Sequence, residues 1–476
     1  MKRRNLIITI ILLSVILAGL LAVAVTLPEP SPDPTLQTGP TGTAGTSQPP
    51  QTPPTDPAPS TQPTPSTQPT EPSSQPTEPT EPPVVKESTA TIGATGDILL
   101  HEKVLRSAYD PDTKSFDFRY IFEHFGHYAS RVDYAVANLE VTLSHKPGTG
   151  LNGYNGYPCF NAPDEIVDAL KDAGFDMLLT ANNHSYDSGH KGLLRTPQVI
   201  RDKGLASIGT HLTEEESRYQ IVEVNGIRIG MINYTYNTDL DSDGSIALNG
   251  ISLSVADSAL VNSFSYWALD KFYAQLQTQL DAMKAEGAEA TVLYIHWGDE
   301  YNTTPNSRQK TMAQELCNMG IDVIVGNHAH VPQPVELLTN ENDETQKTLC
   351  LYSTGNAVSN ISRDSTNRPV NTEDGMLFTF TFAKYSDGIV VLECADVLPT
   401  WVWRHDEEDE IRMYTILTMD DTVSDWKTHL GITDTLEQEC RDSYQRTMDI
   451  VGAGLSDANA WFAEQQAETE ALIGVK

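Results

Sequence analysis

The stretch Asp322–Glu336, "DVIVGNHAHVPQPVE", delivers two histidines, His328 and His330, directly after an apolar run. Other runs end in a similar way. "GATGDILLH" offers Asp97, "YAVANLEVTL" offers Asn138 and Glu140, "TANNHSYDSG" offers Asn183, His184 and Asp187, and "YIHWGDEY" offers His296, Asp299 and Glu300. Carboxylates, amide oxygens and neutral imidazoles bind Mn, Zn or Fe, and a carboxylate bridging two ions about 3.5–4 Å apart can help activate one water. A lone histidine is more often an ordinary core or surface residue. Apolar runs that repeatedly end in Asp, Glu, Asn or His form a joint pattern with no such bland account.

The runs that carry these residues are short, apolar and β-branched, and helical stretches and turn signals separate them, so an α/β domain is expected. Strands are expected over Thr89–Gly96, Tyr134–Leu143, Asp176–Asn183, Ala290–Gly298, Asp322–His328 and Thr348–Asn356. "PDEIVDALKDAG" and "SRQKTMAQELCNMG" read as helices stopped by Gly174 and Gly320. Asn225–Gly226 inside "QIVEVNGIRIGMINYTY" signals a hairpin, and Gly375–Pro399 reads as another. In α/β sheets ligands bind beyond the carboxyl ends of strands, which is where the polar residues above fall. They are therefore expected to converge.

The chain has 476 residues and a formal net charge of -34. Nucleic-acid binding needs basic tracts that are missing here. Lys2, Arg3 and Arg4 precede the mainly apolar run Leu6–Leu27, long enough as a helix to cross a bilayer, with the positive charges on the cytoplasmic side. "AVA" at Ala22–Ala24 allows a cleaved signal peptide as the rival reading, but the run exceeds the usual signal core and an uncleaved anchor is favoured. Residues 28–83 are rich in Pro, Thr, Ser and Gln and read as a disordered, extended stalk. Residues 84–400 hold the chemistry, and past Trp401 the chain turns polar and helical, so 401–476 reads as a helical extension. Five widely spaced cysteines without a CxxC pair point to free thiols rather than a disulfide framework.

Taken in order, "TGDILL", "NLE", "ANNHSYDSG", "HWGDEY", "GNHAHVPQPVE" and "YSTGN" resemble the bacterial capsule synthesis (CapA, poly-γ-glutamate) family, a branch of the calcineurin-like metallophosphatases. The resemblance covers about Ser88–Pro399. It implies a four-layer αββα sandwich with one or two divalent ions (Mn, Zn or Fe) at the strand ends. By the same resemblance Asp97, Glu140, Asn183, His296, His328 and His330 are metal ligands, Glu140 bridges, and His184 is catalytic. Asn138, Asp187 and Glu300 are expected to orient these residues. The family's usual DxH has Leu99 in its third position here, and NLE replaces GDxxD. His101 is the nearest substitute ligand, although Leu100 and Glu102 around it better fit a solvent-facing histidine.

Two functions are then in view. One is an extracellular metal-dependent hydrolase or transferase acting on a phosphoester or amide of a capsule or wall polymer. The other is a non-catalytic polymer-handling accessory subunit. The expected partners are an anionic polymer, the membrane and membrane polymer synthase subunits.

Overall fold

Strand runs that are apolar on both faces, set between amphipathic helices, build two sheets in the computed structural model. It describes residues 84–474 apart from 145–148, 240–243, 363–365, 367–369, 407–411 and 419–432. The apolar run Leu6–Leu27 and the proline-rich stalk lie outside the described residues. Among those described, no helix is long and apolar enough to cross a membrane.

The first part of the chain supplies β1 (Lys86–Ile98), β2 (Tyr134–Leu139), α1 (Glu165–Asp172), β3 (Met177–Leu179), α2 (Gly189–Asp202) and β4 (Ala206–Ile208). Next come β5 (Tyr219–Val224), β6 (Ile227–Asp239), α3 (Leu269–Ala285), β7 (Ala290–His296), α4 (Ser307–Asn318), β8 (Val323–Asn327), β9 (Val335–Asn340) and β10 (Asp343–Leu351). The chain continues with β11 (Asn356–Val358), β12 (Asp374–Tyr385), β13 (Val390–Asp406), β14 (Arg412–Thr418) and the long α5 (Asp434–Gly474).

One sheet runs β14-β13-β12-β1-β2-β3-β4, with β11 also paired to β1. The second is centred on β6-β7-β8-β10-β9, with β5 and short strands added along β6. β1, β2, β3 and β4 are mutually parallel, as are β6, β7, β8 and β10, so each sheet gathers several carboxyl ends at one side. Both expected hairpins form. Asn225 and Gly226 have φ of 52° and 80°, as a two-residue turn between right-twisting strands requires.

Period-two alternation explains how each sheet is covered. Val136 of β2 joins Ile92, Ala94 and Met177 in a core shared with Met231, Val292, Tyr294, Val323 and Val325 of the second sheet. Its neighbours Ala135 and Ala137 point the other way, onto Ile166 and Leu170 of α1 and Ile200 of α2. On the second sheet Leu293, Ile295 and Ile324 pack on Leu276 and Leu280 of α3 and Met312 and Leu316 of α4. Both faces of the parallel strands are therefore buried, which matches their continuous apolar composition.

The region after Trp401 departs from the expected helical extension. β13 continues to Asp406 and pairs with β14, and among the described residues helix is next seen from Asp434. α5 is also no appendage. Val451, Leu455, Ala458 and Phe462 enter the core between the sheets, and Gly454 lies so close to β9 that a Cβ there would sit 1.8 Å from the Val335 carbonyl oxygen. Arg446 donates Nε and Nη2 to the two Asp374 oxygens, each at 2.7 Å, and Asn459 hydrogen-bonds both the N–H and C=O of Ala395. Polar residues on this helix thus serve as fasteners, which is why its composition resembled a solvated extension. All five cysteines are free thiols: Cys317, Cys350 and Cys440 are buried, Cys159 is half-buried and Cys394 is exposed.

Candidate metal centre

Asp97 lies near the end of β1, Asn138 and Glu140 at the end of β2, Asn183 and His184 in the turn after β3, His296 at the last position of β7, and His328 and His330 just past β8. A register shift between Thr95 and Asp97 brings Asp97 level with Asn138 on one side, while Asn356 of β11 pairs with it on the other. His296 is level with Asn327 in the second sheet, so His328 follows immediately beyond it. His328 and His330 have φ of 92° and 57°. Such backbone strain at non-glycine residues is held in place by surrounding contacts and is typical of functional sites. Here the Tyr301 N–H donates to the Ala329 carbonyl (2.8 Å) and Asn356 Nδ2 to the His330 carbonyl (3.2 Å).

Two buried ligand groups result. Glu140, His296 and His328 form one, and Asp97, Glu140 and His330 the other, with the ligand atoms of each group within 4.8 Å of one another. Glu140 belongs to both. His328 Nδ1 lies 3.1 Å from His296 Nε2, which is itself 2.8 Å from Asn183 Oδ1 and 3.5 Å from Glu140 Oε1. His330 Nδ1 is 3.1 Å from both Asp97 Oδ2 and Asn356 Oδ1. Asn138 donates to Asp97 Oδ1 at 2.7 Å.

The donor set fits a divalent ion. Glu140 Oε1 is buried without a hydrogen-bond partner, an arrangement that costs free energy unless a cation or proton compensates it. Burial, with the charges of Asp97 and Glu300, pushes the Glu140 carboxyl well above the usual range. Burial works the same way on Asp97, but the hydrogen bond and charge of His330 outweigh it and hold that carboxyl low. Burial pushes His296 down to about 3 and His328 well below the ordinary value, so both imidazoles are neutral and keep a lone pair for a metal. His330 is raised, because Asp97 more than offsets its burial.

His184 lies beside these groups. Its Nδ1 is 2.7 Å from Asp187 Oδ2, and its Nε2 faces Glu140 Oε1 at 3.9 Å. Asp187 is itself fixed by the Phe160 N–H (2.6 Å) and Asn249 Nδ2 (2.9 Å). Glu300 stands elsewhere: it is exposed on the rim, hydrogen-bonded to Tyr301, and acts on Glu140 and His330 only through its charge. Leu99, at the DxH position, is buried in the core beneath α1. His101 is no ligand in either group, nor is it solvent-facing. Its ring packs edge-on against Phe160 at 5.0 Å, its Nδ1 accepts the Asn360 N–H, and burial pushes it down to about 4. Phe160 in turn meets His184 edge-on at 4.8 Å.

Sequence reasoning assigned no role to several asparagines. Asn182 donates to Asn138 Oδ1 and the Leu139 carbonyl and accepts from the His184 N–H, joining the ends of β2 and β3. Asn356 orients His330. Its place in "YSTGN" was a signal, but its partner is set by strand pairing.

Residues 91–361 match the family described as bacterial capsule synthesis protein PGA_cap. A capsule biosynthesis protein CapA of Bacillus anthracis is 30% identical over 275 residues, covering 56% of this chain and 59% of the relative. A PGA biosynthesis protein CapA of Bacillus subtilis (strain 168) is 26% identical over 276 residues, covering 56% and 63%. A "Probable polyglutamine synthesis accessory protein" of Mycobacterium tuberculosis is 23% identical over 210 residues, covering 43% and 52%. The matched region thus spans less than two thirds of each of these relatives. With more than half of its residues matched by the family, the chain belongs to the bacterial capsule synthesis protein PGA_cap family.

Proposed function

We propose that the chain is a membrane-anchored, extracellular, metal-dependent hydrolase or transferase of the metallophosphatase type, acting on a phosphoester or γ-glutamyl amide during capsule or cell-wall polymer synthesis. The observation that carries this reading is the sharing of Glu140 by two buried ligand groups beside a histidine whose far nitrogen is held by Asp187. A purely structural metal has no need of such a dyad. Paired sheets with helices packed on their outer faces support a four-layer αββα sandwich. The basic tip and apolar run at the N-terminus support the anchor, and the proline-rich segment supports a stalk.

Asp97, Glu140 and His330 would hold one ion, and Glu140, Asn183, His296 and His328 a second. Bound there, Mn, Zn or Fe would supply Lewis acidity, lowering the pKa of a water and polarising the electrophile. The chain's own residues do the rest. Asp187 fixes the His184 ring through Nδ1, so that Nε2 is free to deliver a proton to the leaving group. Asn138 and Asn182 hold Asp97 and the His184 turn in register.

The second reading is a non-catalytic accessory subunit that handles the polymer, in contact with membrane synthase subunits. Leu99 favours it, because the Asp97 group lacks the additional histidine that DxH provides. Full-length chain assayed on a model phosphodiester and a γ-glutamyl amide separates the two. Activity that is lost on chelation, with circular dichroism unchanged, and restored by Mn or Zn is expected of the enzyme. Failure to turn over either substrate with any ion, while polymer still binds, selects the accessory.

A further inference from the structure

An open cleft of about 790 Å³ adjoins the centre, with His328 in its wall and Tyr236, Tyr266, Trp267, Tyr301 and Arg308 around it. Arg308 stands in the first turn of α4, whose start is fixed by a capping box between Asn306 and Gln309. Its guanidinium carbon lies 5.5 Å from the Tyr266 ring centre and 5.1 Å from that of Trp267, within cation–π range. The rings hold the planar fork in place. Among the described residues no ion pair joins it to a carboxylate, although Asp299 and Glu300 line the same cleft. Both acids are engaged elsewhere: Asp299 accepts from Asn306 Nδ2 at 2.9 Å, and Glu300 is hydrogen-bonded to Tyr301. Trp267 is 78% exposed, so much of its ring stays open to solvent beside Arg308.

An unpaired, pre-positioned guanidinium matters in a chain of net charge -34, whose general field repels anions. A planar fork suits a carboxylate, and its immobilisation on two rings lowers the entropy lost on binding. Flat rings also stack on planar amides, whereas tetrahedral phosphodiester links offer them no such face. We propose that this cleft is the polymer-binding subsite, with Arg308 taking one carboxylate of a polyamide chain and Trp267 and Tyr266 carrying its amide planes toward His328. This deepens the function proposed above and rests on it for the location of the chemistry.

The test is equilibrium binding of a fluorescent γ-glutamate oligomer to the full-length chain, followed by anisotropy. Arg308→Gln is expected to weaken binding about ten- to a hundred-fold, the range for a hydrogen-bonded charge. Arg308→Lys, which keeps the charge but not the fork, falls between. A γ-glutamine oligomer should bind wild type as weakly as the acidic oligomer binds Arg308→Gln, and Trp267→Ala should weaken both oligomers. Equal affinity of wild type and Arg308→Gln, absence of binding by wild type, or preference for a glycerol-phosphate oligomer overturns the inference. Binding and turnover also fail separately. A chain that reads carboxylates through Arg308 but hydrolyses nothing keeps this subsite and loses the enzyme reading, whereas hydrolysis indifferent to Arg308 does the reverse.

Discussion

His184 Nδ1 lies 2.7 Å from Asp187 Oδ2, three residues further along the same turn, and this contact aims the opposite ring nitrogen at Glu140. His184→Ala is therefore expected to keep bound metal and lower turnover by about 10²–10⁴-fold, the usual contribution of a positioned general acid. Asp187→Asn should lower turnover less, since it leaves the ring in place without its counter-charge. Unchanged turnover in His184→Ala would remove the dyad from the chemistry.

Glu140 is common to both ligand groups, and His330 to one. Elemental analysis of the purified chain should show Glu140→Ala depleted of divalent metal throughout and His330→Ala depleted only in part, with circular dichroism unchanged in both. Ligand loss typically costs metal affinity steeply. Wild-type stoichiometry in Glu140→Ala would contradict the shared site.

Asp322, just before β8, is half-buried and accepts the Thr291 N–H (2.8 Å) and hydroxyl (3.0 Å). Burial pushes its carboxyl up to about 6, from 3.8 in the unfolded chain. The folded state therefore holds a proton that the unfolded state has released between these values, and stability from this group is present below about pH 4 and lost as pH rises through about 6. Asp322→Asn keeps the acceptor oxygen and removes the titration. Relative to wild type it should gain stability at neutral pH, at most about 3 kcal/mol, with the gain vanishing by pH 4. Chemical denaturation at a series of pH values reads this difference, and a pH-independent difference would refute it.

Gly454→Ala reverses an ordinary expectation. In an open helix this change stabilises by about 1 kcal/mol. Here the added carbon would strike the Val335 carbonyl oxygen. α5 must shift away from β9, and a loss of about 1–3 kcal/mol is expected from the overpacking. A raised melting temperature would show that the helix does not seat as described.

Much of the site could be read from the sequence because each ligand closes a local signal, an apolar run ending in a polar residue. Asp97, Glu140, Asn183, His296, His328 and His330 lie together for that reason. The expected strands were mostly too long at the site end, since polar residues such as His328 belong to the loops. What sequence could not supply was the cross-chain partner. Asn356 acts through strand pairing and Asn182 through hydrogen bonds between the ends of β2 and β3, His101 is packed against Phe160 and Asn360, and "WVWRHD" stays in a strand because β14 lies beside it. The same holds for α5, whose Arg446 and Asn459 resemble solvated residues until Asp374 and Ala395 are placed opposite them.

β1 sits in the middle of its sheet between β2 and β12, and Thr91 meets Thr381 across 290 residues of intervening chain. At about 5–20 residues per second, the ribosome takes roughly 15–60 s to make that stretch. During this interval β1 can pair with β2 on one side only, and its other edge is an open template for misassembly. The strand that delivers Asp97 is thus among the first made and among the last completed, so a nascent chain truncated before β12 should depend on a holding factor to stay unaggregated.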